Sequence, residues 1–211
     1  MIEEVFEPEV EPIEAAAVFG ERIDIARKYA AALVRDSDLL GLLGPREMPR
    51  LWSRHILNSA VVAELVPPGK TVCDVGSGAG LPGIPMAIVL PDTRFTLIEP
   101  MERRSEWLIS VVEELGLRNV DVVRARAEEV GEEFDIATAR ALSALPKLLR
   151  MCIPLVHYGG EILALKGSKA AEEIEEAKRT QKKLGVESFK IEFAGAGLLS
   201  EPTLVVRTKL V

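Results

Sequence analysis

The stretch Thr71-Val72-Cys73-Asp74-Val75-Gly76-Ser77-Gly78-Ala79-Gly80-Leu81-Pro82-Gly83 carries the strongest structural signal in this chain. Its first five residues form a compact β-type run that includes an acid near its end. Glycines at alternate positions follow, and they lead into an apolar segment whose prolines fit only the first turns of a helix. Strand, glycine loop and helix in that order make a nucleotide-binding unit, because the turn must be tight and a ligand must approach the backbone closely. Gly78-x-Gly80-x-x-Gly83 satisfies the dinucleotide fingerprint in form, and Glu99 closes the next strand where a ribose-binding acid belongs. Asp74 argues for a different ligand. A carboxylate at the end of the first strand repels a pyrophosphate and suits a positive group, such as the ammonium and sulfonium of S-adenosyl-L-methionine. The loop therefore favours a methyltransferase over a dehydrogenase. Gly69-Lys70-Thr71 lacks the first glycine of a P-loop, since position 64 is Glu.

Outward from the loop, β-rich runs alternate with helical ones. Strands are expected at Thr71–Val75, Arg94–Ile98, Val120–Arg124, Phe134–Thr138 and Glu161–Leu165, and a final pair at Ser188–Phe193 and Thr203–Leu210. Helices are expected at Leu81–Leu90, Met101–Leu115 and Ser168–Leu184. This pattern predicts an α/β, Rossmann-like, mostly parallel seven-stranded sheet with an antiparallel C-terminal hairpin. Before the core, helical periodicity runs from Ala15 to Arg35, and a second helix is expected from Pro49 to Val66, stopped by Pro67-Pro68-Gly69. The predicted organisation is an acidic disordered tail at 1–14, a helical N-terminal extension at 15–69 and a core at 70–211, the last two forming one compact domain.

Composition agrees with one globular domain. The chain has 211 residues, 48% hydrophobic and 28% charged, which excludes a disordered, collagenous or coiled-coil protein. Two cysteines, Cys73 and Cys152, make no disulfide framework, and Met1-Ile2-Glu3-Glu4 has the wrong charge for a signal peptide. The chain is expected to be cytoplasmic, with no membrane span. His55 and His157 lie far apart with no ligand-like neighbours, so no metal site is expected. The net charge of −7 is concentrated at the start: residues 1–14 carry six acids and no base, leaving 27 acids against 26 bases elsewhere. A near-neutral body can carry local basic patches.

The target atom is narrowed by what the chain does not contain. Amine methylation needs an Asn/Asp-Pro-Pro-aromatic motif after the fourth strand, where this chain reads Thr138-Ala139-Arg140-Ala141-Leu142. Carbon methylation of pyrimidines needs a reactive cysteine, whereas Cys73 lies in a strand and Cys152 in an apolar helix. A ring nitrogen with a free lone pair, guanine N(7) above all, needs no general base. Catalysis then rests on positioning and charge stabilisation. Arg126-Ala127-Glu128 follows the third strand, where the Ala127 amide and the Glu128 carboxylate could read an adenine edge.

Arg54-His55-Ile56-Leu57-Asn58-Ser59, the extended loop Asp74–Pro85 and the pair Arg140-Ala141 after Phe134-Asp135 together resemble the RsmG (GidB) family over nearly the whole chain, from Arg22 to Val211. Members of that family are bacterial 16S ribosomal RNA guanine-N(7) methyltransferases of the class I S-adenosylmethionine-dependent fold, acting on a stem-loop near the decoding centre. The resemblance implies that Gly76, Gly78, Gly80 and Leu81 line the cofactor's methionine and ribose. It further implies that Glu99 takes the ribose, Ala127 and Glu128 the adenine, and that Arg140 contacts cofactor or substrate beside the methyl, positioning it. For RNA, the candidate phosphate contacts are Arg50, Arg54, His55, Arg103, Arg104 and Lys166. With aromatics at 5%, stacking platforms are scarce, which favours an assembled 30S subunit or its precursor over naked RNA as substrate. A monomer is expected. Three alternatives stay open on the residues alone: a methyltransferase for a small molecule or protein, a dehydrogenase binding NAD, and a cofactor-binding regulator without transfer.

Overall fold

The computed structural model describes residues 6–211. Seven strands form one sheet in the order β3-β2-β1-β4-β5-β7-β6: β1 Thr71–Val75, β2 Arg94–Ile98, β3 Val120–Val123, β4 Phe134–Arg140, β5 Val156–Leu165, β6 Val186–Ala194 and β7 Thr203–Leu210. Pairings among β1 to β5 are parallel, and β7 runs antiparallel to both β5 and β6. The chain belongs to the Rossmann-like α/β class expected of it. The order reverses between β1 and β4, so the carboxyl ends of β1, β2 and β4 flank a switch point, where such sheets bind ligands.

The period of two in each strand divides the core. Val72, Leu97 and Ile136 face one side, under α1 (Glu14–Phe19), α2 (Ile23–Leu40), α4 (Gly83–Val89) and α5 (Glu102–Leu115). Cys73, Ile98 and Ala137, their immediate neighbours, face the other side, under α6 (Leu145–Cys152) and α7 (Ala170–Lys178). Central strands covered on both faces read as unbroken apolar runs, which is why TVCDV and RFTLI show little alternation. In α2 the buried positions Ala26, Tyr29, Ala30 and Leu33 recur every three to four residues, placing one stripe against α4 and α5, the helices that cover this face of the sheet. Each fully buried Leu, Ile or Phe contributes roughly 1.5–3 kcal/mol, which is what holds the extension to the core.

Four expectations are corrected. The regular helix at Pro49–Val66 is a composite: a 3-10 segment Pro45–Arg50, a π-helical segment Leu51–Leu57, the short α3 (Asn58–Ala60) and another 3-10 segment, Val61–Leu65. Pro49 carries no N–H to continue a ladder, and Arg50 at φ −131° breaks the winding there. The strand expected to begin at Glu161 starts at Val156, and the one expected to end at Thr138 runs on to Arg140. The acidic stretch is not a free tail over its described part. Glu9 N–H donates to Met48 O at 2.9 Å, the Glu9 carboxylate accepts from Ser53 N–H and Oγ, and Glu11 takes Arg27 in a two-pronged pair at 2.7 and 2.8 Å. Acids there meet backbone donors and a base on the extension, which composition alone does not show. Residues 1–5 lie outside the described residues.

Candidate cofactor and active site

Register brings the strand ends together. Val75 pairs with Ile98, Ile98 with Val123 and Asp74 with Thr138, so the loops after β1, β2, β3 and β4 share one edge. The glycine loop leaves β1 by donating Gly76 N–H and Ser77 N–H to Ile98 O at 2.9 and 3.1 Å. It then turns back on itself, with Gly80 N–H and Leu81 N–H donating to Ser77 O. Gly76 (φ +69°) and Gly80 (φ +83°) sit in the left-handed region, and a side chain at either would also meet a neighbour. A Cβ on Gly76 would lie 2.6 Å from Leu142 Cδ1, and one on Gly80 would lie 2.4 Å from Ile84 Cδ1. A Cβ on Gly78 (φ +57°) would stand in ordinary van der Waals contact with Gly76 O and the Arg104 guanidinium, at 3.8 and 3.9 Å, so at this position the backbone conformation rather than crowding calls for glycine.

Two carboxylates brace this loop. Glu99, buried just past β2, accepts Gly78 N–H on Oε2 and Met101 N–H on Oε1, both at 2.9 Å. Each oxygen keeps a further lone pair, so a vicinal diol can still be accepted. Asp74 is fully buried. Its Oδ2 accepts the Ser77 hydroxyl at 2.5 Å and Gly83 N–H at 3.0 Å, while Oδ1 has no partner among the described residues. Burial pushes this carboxyl up to about 6, against the pull of those two hydrogen bonds. Asp74 thus lies beneath the loop rather than on an open wall, and its unpartnered oxygen is the buried feature that fits a positively charged ligand above.

Arg140 ends β4. Its Nη1 donates to His55 O and to Ser59 Oγ, both at 3.1 Å, and its Nη2 meets His55 Nδ1 at 2.7 Å. Burial lowers the guanidinium to about 10, so it stays charged at neutral pH. Ala141 follows at φ +52°, a strained conformation for a residue with a Cβ, and delivers Leu142 over Gly76. Lys166, one residue beyond β5, secures the same loop. Its ammonium donates to Ser143 O at 2.6 Å and pairs with Glu173 at 2.8 Å, and Glu173 in turn accepts Leu145 N–H.

The six candidate phosphate contacts therefore separate. Arg50, Arg54 and Arg103 are exposed; Arg50 and Arg54 approach Glu47 at 2.9 and 3.7 Å, and Arg103 has no ion-pair partner among the described residues. His55 and Lys166 are not surface groups: His55 is 6% exposed, and the Lys166 side chain 8%. Arg104 donates to Gly41 O at the end of α2 and borders the glycine loop rather than a phosphate path. Ala127 is buried at the start of the turn after β3, and Glu128 is exposed beside it. Leu81 is buried within the loop.

Four contributors carried no sequence signal as site residues. Tyr29, read as core, donates its buried hydroxyl to Ala79 O at 2.6 Å and so ties α2 to the glycine loop. Glu47 and Ser59 act through partners that folding brings to them, His55 and Arg140, and Ser77 through Asp74 three residues before it. Cys73 and Cys152 are buried free thiols, that of Cys152 pushed by burial up to about 12, so neither is a nucleophile.

With this geometry in view, a family model described as rRNA small subunit methyltransferase G matches residues 22–203. The chain belongs to that family. A ribosomal RNA small subunit methyltransferase G of Clavibacter michiganensis subsp. michiganensis is 50% identical over 204 residues, covering 96% of both chains. The relative of the same description from Rhodococcus jostii is 52% identical over 202 residues, covering 93% of this chain and 88% of its own. Among solved structures, a Pyrococcus furiosus methyltransferase superposes with TM-score 0.60 at 17% identity, covering 89% of this chain and 99% of its own. A SAM-dependent methyltransferase from Aquifex aeolicus gives TM-score 0.58 at 19% identity, covering 83% and 98%. These two show that the fold is shared. The rRNA small subunit methyltransferase G family thus meets, in this chain, a glycine loop, an acid after β2 and a charged arginine after β4 on one sheet edge.

Proposed function

We propose that this chain transfers a methyl group from S-adenosyl-L-methionine to N(7) of a guanine in 16S ribosomal RNA, in the stem-loop near the decoding centre. The observation that carries the reading is the glycine-loop cradle, with Glu99 latched to Gly78 at its centre and Asp74 Oδ1 unpartnered below it. These residues fit the cofactor: the glycines keep the loop's backbone free of side chains, Glu99 can accept ribose hydroxyls, and Ala127 and Glu128 border the adenine position. When bound, S-adenosylmethionine supplies a methyl group activated on sulfonium. The chain's own contribution is positioning. Leu142 covers Gly76 and keeps water from that part of the loop, and Arg140 offers two unspent N–H donors to an oxyanion. Guanine N(7) brings its own lone pair. The one imidazole at the site is engaged on both nitrogens, by Glu47 and by Arg140, and so is not available as a base.

Arg50, Arg54 and Arg103 are proposed to meet phosphates, and an assembled 30S subunit or its precursor to be the substrate. The protein is read as a cytoplasmic monomer. No helix among the described residues is long and apolar enough to cross a membrane. The test is incubation with methyl-labelled S-adenosylmethionine and 30S subunits from cells lacking the activity, followed by chemical cleavage at methylated guanine N(7). Label in 16S RNA with one new strand break is expected. Label without a break moves the target atom, and no label with measurable cofactor binding overturns the reading.

A further inference from the structure

The Arg140 guanidinium has five N–H donors and no acceptor. Three are spent within the protein: Nη1 on His55 O and Ser59 Oγ, and one Nη2 hydrogen on His55 Nδ1. His55 thus grips the end of the fork with its backbone carbonyl and its ring together. Nε–H and the second Nη2–H have no protein partner among the described residues, and they form the edge that grips a carboxylate or phosphate through two parallel bonds.

The ring's protonation follows from its partners. A guanidinium can only donate, so Nδ1 must be a bare acceptor and the single ring proton must sit on Nε2. That nitrogen lies 2.7 Å from Glu47 Oε2 and donates to it. Burial and the neighbouring Arg140 lower His55 to about 4, against the pull of Glu47, and Arg54 adds to the lowering. The ring is therefore neutral at working pH. Glu47, exposed enough to stay ionised, selects the tautomer, and the tautomer selects the arginine's orientation. None of this is local in the chain: Glu47 is 8 residues from His55, and His55 is 85 from Arg140.

We propose that Glu47 and His55 are positioning residues for methyl transfer, locking Arg140 so that its Nε–H/Nη2–H edge is presented to an oxyanion of the cofactor or the RNA. The proposal rests on the functional reading above, and its test separates the two. The chain has two histidines, so ¹⁵N spectra of the ring nitrogens, assigned with a His157→Gln variant, report His55 directly in the free protein. At pH 7 the expected state is protonated Nε2 and unprotonated, hydrogen-bonded Nδ1. A His55 protonated on Nδ1, or on both nitrogens, overturns the proposal whatever the enzyme does.

Variants supply the second readout. His55→Ala loses both links. His55→Asn keeps an acceptor near the Nδ1 position but cannot reach Glu47, and Glu47→Gln keeps an acceptor for Nε2–H without its charge. With wild-type transfer to 30S subunits established first, His55→Ala is expected to lose on the order of 100-fold in kcat/KM, as misplacement of a reacting group does. His55→Asn and Glu47→Gln are expected to recover part of that loss. A rise in the Kd for S-adenosylmethionine in calorimetry assigns the oxyanion to the cofactor's carboxylate; a rise in KM for 30S subunits alone assigns it to RNA phosphate. His55→Ala and His55→Asn with wild-type kcat/KM, or with losses that track only the folded fraction, overturn the proposal. Should His55→Ala fail to fold, His55→Asn and the spectra decide. If the wild type transfers no methyl, the functional reading fails while the ring spectra still judge the tautomer.

Discussion

Replacing Asp74 by Asn tests the account of the loop most directly. Asp74 is fully buried, with one oxygen holding Ser77 Oγ and Gly83 N–H and the other holding nothing. Burial raises its carboxyl from 3.8 to about 6. A carboxyl with a raised folded value binds its proton more tightly in the native state. Its contribution to stability is therefore fully present below about pH 4 and is lost as pH rises through about 6. Moving a titration midpoint by one pH unit corresponds to ~1.36 kcal/mol, so the full loss is on the order of 3 kcal/mol, of which roughly 2 kcal/mol falls above pH 4.5. The amide in Asp74→Asn can still accept from Ser77 and Gly83, but its NH₂ inherits the partnerless position at a fixed cost of about 1–3 kcal/mol. That cost does not depend on pH, so the difference in slope isolates the carboxylate. Urea unfolding of both proteins at half-unit steps from pH 4.5 to 7.5 is the assay, with the slope in urea required to match between them. The stability of Asp74→Asn relative to wild type is expected to rise across this range by roughly 2 kcal/mol. Parallel profiles would refute the reasoning, because they would mean that Asp74 is either solvated or partnered in the native state.

The remaining predictions concern other parts of the edge. Tyr29→Phe deletes the donor to Ala79 O and is expected to cost about 1–3 kcal/mol and to weaken cofactor binding; unchanged thermal stability and Kd would show that the tie is idle. A side chain on Gly83 would lie 2.4 Å from Leu97 Cδ2 and 2.8 Å from Asp74 Oδ2, and because the carboxylate is held in place Gly83→Ala should cost about 1–3 kcal/mol, or roughly 2–4 °C in Tm per kcal/mol. Arg103→Ala removes an exposed base, so Tm should move by less than that of Tyr29→Phe, while the salt dependence of 30S binding should fall by about 1 in slope; an unchanged slope removes Arg103 from the RNA path.

The parts legible in the sequence are those whose cause is local. TVCDV followed by alternate glycines can hardly be anything but a strand and a tight ligand-approaching turn, because backbone sterics act within a few residues. The run RFTLI and the acid after it place Glu99 at a strand end for the same reason, and strand–helix alternation then leaves few sheet topologies. Polar side chains are a different matter. Arg54, His55 and Lys166 look alike as candidate phosphate contacts, yet Arg54 is in solvent, His55 is buried between Glu47 and Arg140, and Lys166 clamps the loop that carries Leu142. Whether a charge points out or in depends on which distant group desolvates it and which one compensates, and those partners come from other elements. Local chemistry along the chain is enough to set the class of fold and the ligand edge of the sheet. The wiring of the histidine and the arginine is set only when the chain closes on itself, since a hydrogen bond between residues 85 apart leaves no local trace.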